Sequence, residues 1–533
     1  MAVVVTDLRT IINECDATTG WTGTATPTLF TTEPTGVEAT GCLGMTVSAT
    51  TANAYVTVTA VNFTATPQLI YVWIFHRAEL DSRANGGLMI QLGDGTNRIG
   101  FHVGGNDVDG FRPSTGPVGW QCLVIDTANL PATFTTFAGA RASLNLGAIT
   151  QIGVGFKTLV KAVGGVANCF WDILRRGAAG VGLLVTGGTV GDPGTWQQIA
   201  DTDKLTTNQR AHGIVRELGA GVYGVQGSIT FGSDTTGATY FSDQNVSIIF
   251  EERSVTNDKY IFRVQGNATN NTFFKMASST IQAPVNGSAQ LIASSTNLQN
   301  FELVDSQIVR FKNGVTFSSD ATNGVNHVIS GSTFRNCAQV NTGRVPVRSS
   351  FFLGYTPTTA AALLWSSVIN IEECQFDNNT RAIEHPSTGT FTYTGLRFST
   401  NTYDILNSST GLVTVNASAG SNPATFLETV VDSTVINNTK NFTFAVEDSA
   451  GNPLTNYEWR LYEEDPADGI IGTEIDGEEL RALSTYTYSY NYAGDVDIVL
   501  QIIKSGYEEG TFKYTLSDTD QSVKVSVEID RNI

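Results

Sequence analysis

Two short acidic clusters carry the clearest potential for chemistry in this chain of 533 residues. Glu302 and Asp305 lie in NFELVDS, and Glu373 and Asp377 lie in IEECQFDNN. Two carboxylates facing one saccharide are the equipment of glycoside hydrolysis, about 5–5.5 Å apart for retention and about 6.5–9.5 Å apart for inversion. Adjacent acids on a strand, such as Glu372 and Glu373, point to opposite faces, so only one of the two can face a ligand. A productive pair would instead stack between successive repeats, for instance Glu302 beneath a later acid. Glu251 and Glu252 beside Arg253, and Glu384, are further candidates, and all of them compete with the reading of solvated surface carboxylates. Asp94, Asp107 and Asp126 are read as loop residues, where carboxylates can hold calcium but also commonly form turns. The five histidines (His76, His102, His212, His327, His385) are isolated in sequence. Trp365 reads either as a core residue or as a stacking platform. Tyr486, Tyr488, Tyr490 and Tyr492 alternate, which suits an interface or sugar-stacking face, and equally an ordinary exposed sheet face. GAAGVG (177–182) lacks the βαβ context of a dinucleotide site, and no cofactor is expected.

The elements that must position these residues repeat. Phe311, Phe334, Phe352, Phe376 and Phe398 recur at steps of 23, 18, 24 and 22 residues. Three of the units read Phe-x-Asn, with Asn313, Asn336 and Asn378 in the third place. One such unit cannot bury its own apolar face, so a period of this length implies stacking. The leucine-rich pattern and helix formers are absent. The expectation is a right-handed parallel β-helix over residues 228–427, with Phe on Phe inside and Asn or Gly at the corners. Phe231, Phe250 and Phe273 are read as earlier rungs, with Leu291 or Phe301 filling the long gap before Phe311. The alternative is a β-sandwich with phenylalanines at chance spacing.

Around this core the chain reads as all-β. Residues 1–176 hold seven predicted strands (54–61, 69–76, 87–94, 98–105, 120–127, 149–157 and 168–176) separated by turn residues, the pattern of a sandwich. Residues 177–227 form a linker with a short helix near 195–205, N-capped by Thr195, that covers the open first coil. Residues 440–533 alternate cleanly and read as a second sandwich. The first sandwich resembles the concanavalin-like and laminin-G-like jelly rolls, many of which bind sugars. The last resembles the immunoglobulin-like and transthyretin-like modules of the carboxypeptidase-regulatory kind, on the residues VEDSAGNPL (446–454) and KSGY (504–507).

Charge narrows the partners. The net charge is −19, and residues 440–533 contribute 19 acidic against 7 basic side chains. Such a surface repels nucleic acid and anionic membranes. The six cysteines (Cys15, Cys42, Cys122, Cys169, Cys337, Cys374) show neither metal nor disulfide spacing and read as buried thiols. No stretch is apolar enough to insert in a membrane, and the start of the chain lacks an export signal.

The order of modules, jelly roll, β-helix and terminal immunoglobulin-like sandwich, resembles tailed-bacteriophage virion proteins of the tail-spike, tail-fibre and head-fibre kinds. The resemblance implies a place in the virion after assembly in the host cytoplasm, a homotrimer, and contacts with tail or capsid proteins and a host-surface glycan. Three β-helices side by side would bury their flanks in a closed assembly. Two functions stay open: an adhesive or decorating appendage, or a tailspike-type polysaccharide depolymerase, a hydrolase or lyase. A bacterial surface adhesin would need the export signal.

Overall fold

The computed structural model describes all residues except 1–2, 25, 32–40, 49–50, 77–86, 105–119, 158–165, 179, 203–214, 226, 234, 236, 251–259, 267–270, 286–288, 294–299, 318–326, 366–370, 419, 438, 465–470, 493–494, 518 and 531–533. It is all-β, with one short α-helix, Trp196–Thr202, among the described residues. The chain forms two compact units, residues 1–346 and 347–533. The division falls inside the stretch expected to be a single β-helix.

The first unit begins with two antiparallel sheets packed on a shared core. One contains Phe134–Ala138, Arg98–Gly104, Leu88–Gly93, Ile149–Lys157, Thr51–Val61 and Trp21–Gly23, in that spatial order. The other is built around Gln68–His76 and Val166–Ala178. Alternate residues face inward, so Ile90, Leu92, Ile99, Phe101, Ile152, Val154 and Phe156 meet Val72, Ile74 and Trp171 of the facing sheet. Trp171 packs at 5.2 Å from Trp21 and 6.1 Å from Phe156. All seven strands expected here form. Trp21–Gly23, Thr28–Phe30, Cys42–Ser48 and Phe134–Ala138 were not expected. Nor was Val4–Asp7, which leaves these sheets and pairs antiparallel with Leu183–Thr186.

From Leu183 onward the winding strands pair in parallel, each with the strand one coil later, while Val215–Gly219 pairs antiparallel with Val222–Val225 at the edge. One column runs Leu183, Ile229, Phe262, Leu291, Val315 and Val340. A second runs Tyr223, Ile248, Ile281, Ile308 and Phe334. A third contains Phe241, Phe274 and Phe301, whose rings stack at 5.4 and 5.7 Å. These residues are buried, and their strand neighbours point out, because successive side chains alternate across a strand. The second unit repeats the scheme with Phe352, Phe376 and Phe398 in register at 4.9 and 5.2 Å.

The proposed phenylalanine ladder is therefore right in part. Phe311 is not in register with Phe334; Ile308 is. Phe231, Phe250 and Phe301 belong to three different sheets, while Phe273 faces outward and its neighbour Phe274 inward. The corners explain the slip. After several strands of this column one residue adopts positive φ, as at Arg310 (64°), Asn336 (52°), Asn378 (54°) and Thr400 (51°). The next residue points inward, and Phe311 occupies that corner place, as Cys337 does one coil later. The opposite corner has its own positive-φ series, Asn245, Ser278 and Asp305 in the first unit and Ser349 and Glu373 in the second. Behind it runs a hydroxyl ladder in which Ser279, Ser306 and Ser332 each accept from a backbone N–H of the preceding coil at 3.2 Å.

The helix Trp196–Thr202 covers the start of this winding. Thr195 and Gln198 form a reciprocal capping box, with Gln198 N donating to Thr195 Oγ1 (3.3 Å) and Thr195 N to Gln198 Oε1 (3.0 Å). Trp196 is fully buried against Tyr223, Phe231, Phe241 and Phe262.

Among the described residues the second unit ends in seven strands arranged as two sheets, of three and four strands, around Phe442, Phe444, Trp459, Leu461, Leu500 and Val525.

Candidate functional site

The carboxylates singled out in the sequence are each engaged separately. Glu302 lies 2.9 Å from Lys275 Nζ and accepts from Asn300 Nδ2 at 3.2 Å. Asp305 and Glu373 are positive-φ corner residues (50° and 56°), so their backbone role accounts for their position. Glu373 also accepts from Ser349 Oγ at 2.9 Å, and Asp377 accepts from Thr400 Oγ1. Glu372 pairs with Arg348 at 3.3 Å, and Glu384 accepts from Ser408 Oγ at 2.7 Å. Glu251 and Glu252 lie outside the described residues.

The aspartates considered for calcium are turn clamps. Asp94 accepts from the backbone N–H groups of Thr96, Asn97 and Asn145 and from Asn97 Nδ2, at 2.7–3.0 Å. Desolvation works to raise its pKa, but these hydrogen bonds outweigh it and hold the carboxyl well below the usual range. Asp126 accepts from Ala128 N and Asn129 Nδ2. Asp107 lies outside the described residues. Among the described residues no three His, Cys, Asp or Glu side chains gather as metal ligands.

Trp365 is 4% exposed and stacks on Tyr393 at 5.4 Å, which is the core reading rather than the platform. Tyr486, Tyr488 and Tyr490 pack against the core of the last two sheets. Tyr486 lies 4.2 Å from Trp459 and donates to Asp476 Oδ2, while Tyr492 donates to Asp495 Oδ1. All four tyrosines are half-buried.

The arrangement best suited to hold a ligand is one that the sequence reading missed. It lies on the outer face of the sheet that contains Leu88–Gly93 and Ile149–Lys157. Since Ile90, Leu92, Ile152 and Val154 point into the core, Gln91, Gly93, Gln151, Gly153 and Gly155 point away from it. Registry arranges these in rows. One row reads Gly100, Gln91, Gly153, Tyr55; beside it lie Arg98, Gly93, Gln151, Thr57 on one side and His102, Met89, Gly155, Asn53 on the other.

Glycines leave the middle of this face low, and long side chains from its borders lean over them. Arg98 and Tyr55 stand on strands three interstrand steps apart, about 14 Å, yet the Arg98 guanidinium lies 4.3 Å from the Tyr55 ring centroid. They must therefore meet above the two intervening strands, over the places of Gln91 and Gly153. A Cβ on Gly93 would come 2.5 Å from Gln151 Oε1, and one on Gly100 would come 2.6 Å from the Phe137 ring.

Beneath this cover Gln91 is fully buried, and neither its amide nitrogen nor its oxygen has a hydrogen-bond partner. The same holds for both atoms of the Asn53 amide. Arg98 Nε is likewise buried and unpartnered. His102 Nε2 and Thr135 Oγ1, by contrast, lie 2.9 Å apart. Unsatisfied buried amides cost about 1–3 kcal/mol each, whereas a cation–π contact of this kind contributes about 0.5–1 kcal/mol. Hydrogen-bond partners supplied to Gln91 would therefore count for more than the Arg98–Tyr55 contact itself. The fourteen outward positions named, counting Thr22 and Thr135 at the border rows, include no Asp or Glu.

No family model matches the chain, and no curated protein matches it. Among solved structures, an exo-beta-agarase is similar at 10% identity over 32% of this chain and 25% of its own, with a TM-score of 0.22. A family 11 carbohydrate-binding module from Clostridium thermocellum, in complex with a beta-1,3-1,4-mixed-linked tetrasaccharide, shares 7% identity over 32% of this chain and 96% of its own, with a TM-score of 0.22. A second family 11 module, from a cellulosomal cellulase of Clostridium thermocellum, gives 6%, 33%, 96% and 0.21. These likenesses are slight, and the case for the face rests on its own residues.

Proposed function

We propose that the protein is a saccharide-binding structural appendage of a tailed-bacteriophage particle, a homotrimer of the fibre or spike kind, and that the outer face around Gln91 holds the sugar. The observation that carries the binding half is the pair of fully buried, unpartnered amides of Gln91 and Asn53 on a glycine-lined face. Side-chain amides both donate and accept, which suits the hydroxyls of a pyranose, and a low aromatic border suits its C–H face. The virion half is supported by the parallel winding that shares one chain with two separate pairs of packed sheets, and by an acidic balance that disfavours nucleic-acid and membrane roles. A depolymerase would need two carboxylates on one saccharide, and the acids considered for that role are tied individually to Lys275, Ser349 and Thr400 or set at corners.

The deciding experiment is affinity electrophoresis of the full chain through gels loaded with host-derived capsule or lipopolysaccharide, beside Gln91→Leu. Retardation of the native chain that Gln91→Leu loses is expected; equal mobility with and without glycan would remove the binding reading. Gold-labelled antibody on particles and sedimentation of the purified chain test the virion and trimer. A fall in capsule viscosity on adding the protein would return the enzyme reading.

A further inference from the structure

We propose that the saccharide taken by this face is acidic, its carboxylate replacing the Tyr55 ring as the partner of the Arg98 guanidinium. The inference rests on the saccharide reading above and adds the charge of the ligand.

The argument begins with charge. The chain holds 50 acidic and 31 basic side chains, yet no acid stands on the strands' outward rows around Gln91. Arg98 is the fixed positive charge there. Among the described residues no carboxylate pairs with it, and its Nε is buried without a partner. Its contact is with the Tyr55 ring at 4.3 Å, and a ring face accepts no conventional hydrogen bond, so Nε stays without a partner. A carboxylate accepts two parallel N–H bonds from that fork, so an acidic sugar satisfies the donors that the ring leaves unmet. A neutral sugar offers single hydroxyls and no compensating charge.

The surrounding residues fit the same ligand. Gly93 and Gly153 carry no side chain of their own next to Arg98, and the Gln151 amide, whose Oε1 reaches within 2.5 Å of where a Gly93 Cβ would stand, is a further polar group there. With the carboxylate on Arg98, the Gln91 amide lies under the adjoining hydroxyls. Tyr55, released from Arg98, presents its ring to the sugar's apolar face.

The test is isothermal titration of the full chain with oligogalacturonate, oligomannuronate and sialyllactose, beside methyl-esterified oligogalacturonate and lactose. The expected result is that an acidic probe binds and that its uncharged counterpart binds at least about tenfold more weakly, the difference a charge-assisted hydrogen-bonded pair supplies. Arg98→Gln should lose a similar factor, Arg98→Lys less, and binding should weaken as salt rises. Equal binding of acidic and uncharged probes, with Arg98→Gln unaffected, overturns the charge assignment while the saccharide reading stands. Binding of none of the probes, acidic or neutral, by a chain that also runs unretarded through glycan-loaded gels overturns both. The ester comparison uses the native chain alone, so the test holds even if Arg98→Gln folds poorly.

Discussion

An amide that is fully buried with no partner for either polar atom is maintained at a cost, and Gln91 is such a residue. Gln91→Leu keeps the approximate volume and removes the polar atoms, so it should raise stability by about 1 kcal/mol while reducing glycan retardation. Urea unfolding of the two proteins measures the first effect, and a lower midpoint for the variant would mean that the amide is satisfied after all. His385 gives a second prediction. Burial pushes its pKa down to about 3, against a weaker opposing effect of the Trp365 backbone, and its Nε2 lies 2.8 Å from the Tyr393 hydroxyl. The unfolded chain takes up a proton near pH 6.5 that the folded one refuses until about pH 3. Stability is therefore lost as pH falls through 6.5, with a slope approaching about 1.4 kcal/mol per unit. Melts of the native chain and His385→Gln between pH 6.5 and 5 should show the steeper decline in the native chain. Little of this was legible in advance. Gln91 sits in GLMIQLGD, where a lone polar residue marks the outward side of a strand, but its burial depends on side chains of other strands, which only registry brings to this face.

At the scale of elements, the corners and the helix decide the winding. The Phe-x-Asn motif was readable because a left-handed corner favours Asn, and Asn336 and Asn378 occupy such corners. Phe311 misled because the inward corner place accepts a large apolar side chain as readily as the strand does, and spacing alone does not separate the two. Thr195 marked a helix start in sequence, and it caps the helix reciprocally with Gln198. Trp196→Ala should cost about 3–5 kcal/mol by emptying a site among four aromatic rings. Hydrogen exchange locates the damage: amides of Val222–Val225, Ile229–Phe231 and Thr239–Gln244 should lose protection before those of the first two sheets. Uniform loss across the first unit would mean that the helix supports more than the first coil.

For the whole molecule, composition and period gave the all-β class, since β-branched and aromatic alternation is a local property of each strand. They did not reveal the division at residues 346 and 347, nor the candidate face, because both depend on which distant strands meet. Charge is an exception, being additive along the chain. At a net −19, the protein should cause no shift of duplex DNA in gels even at low salt; a salt-sensitive shift would reveal a basic surface that the sum conceals.

The pairing of Val4–Asp7 with Leu183–Thr186 also imposes a schedule. Asp7 is held by Arg9 at 2.7 Å and by Arg175, so this strand is fixed by residues translated far later. At about 5–20 residues per second, it waits roughly 10–35 s on the ribosome for its partner. Val4 and Leu8, still 52% and 49% exposed once folded, are meanwhile unshielded, and a chaperone that captures nascent apolar segments would meet this one before its partner strand exists.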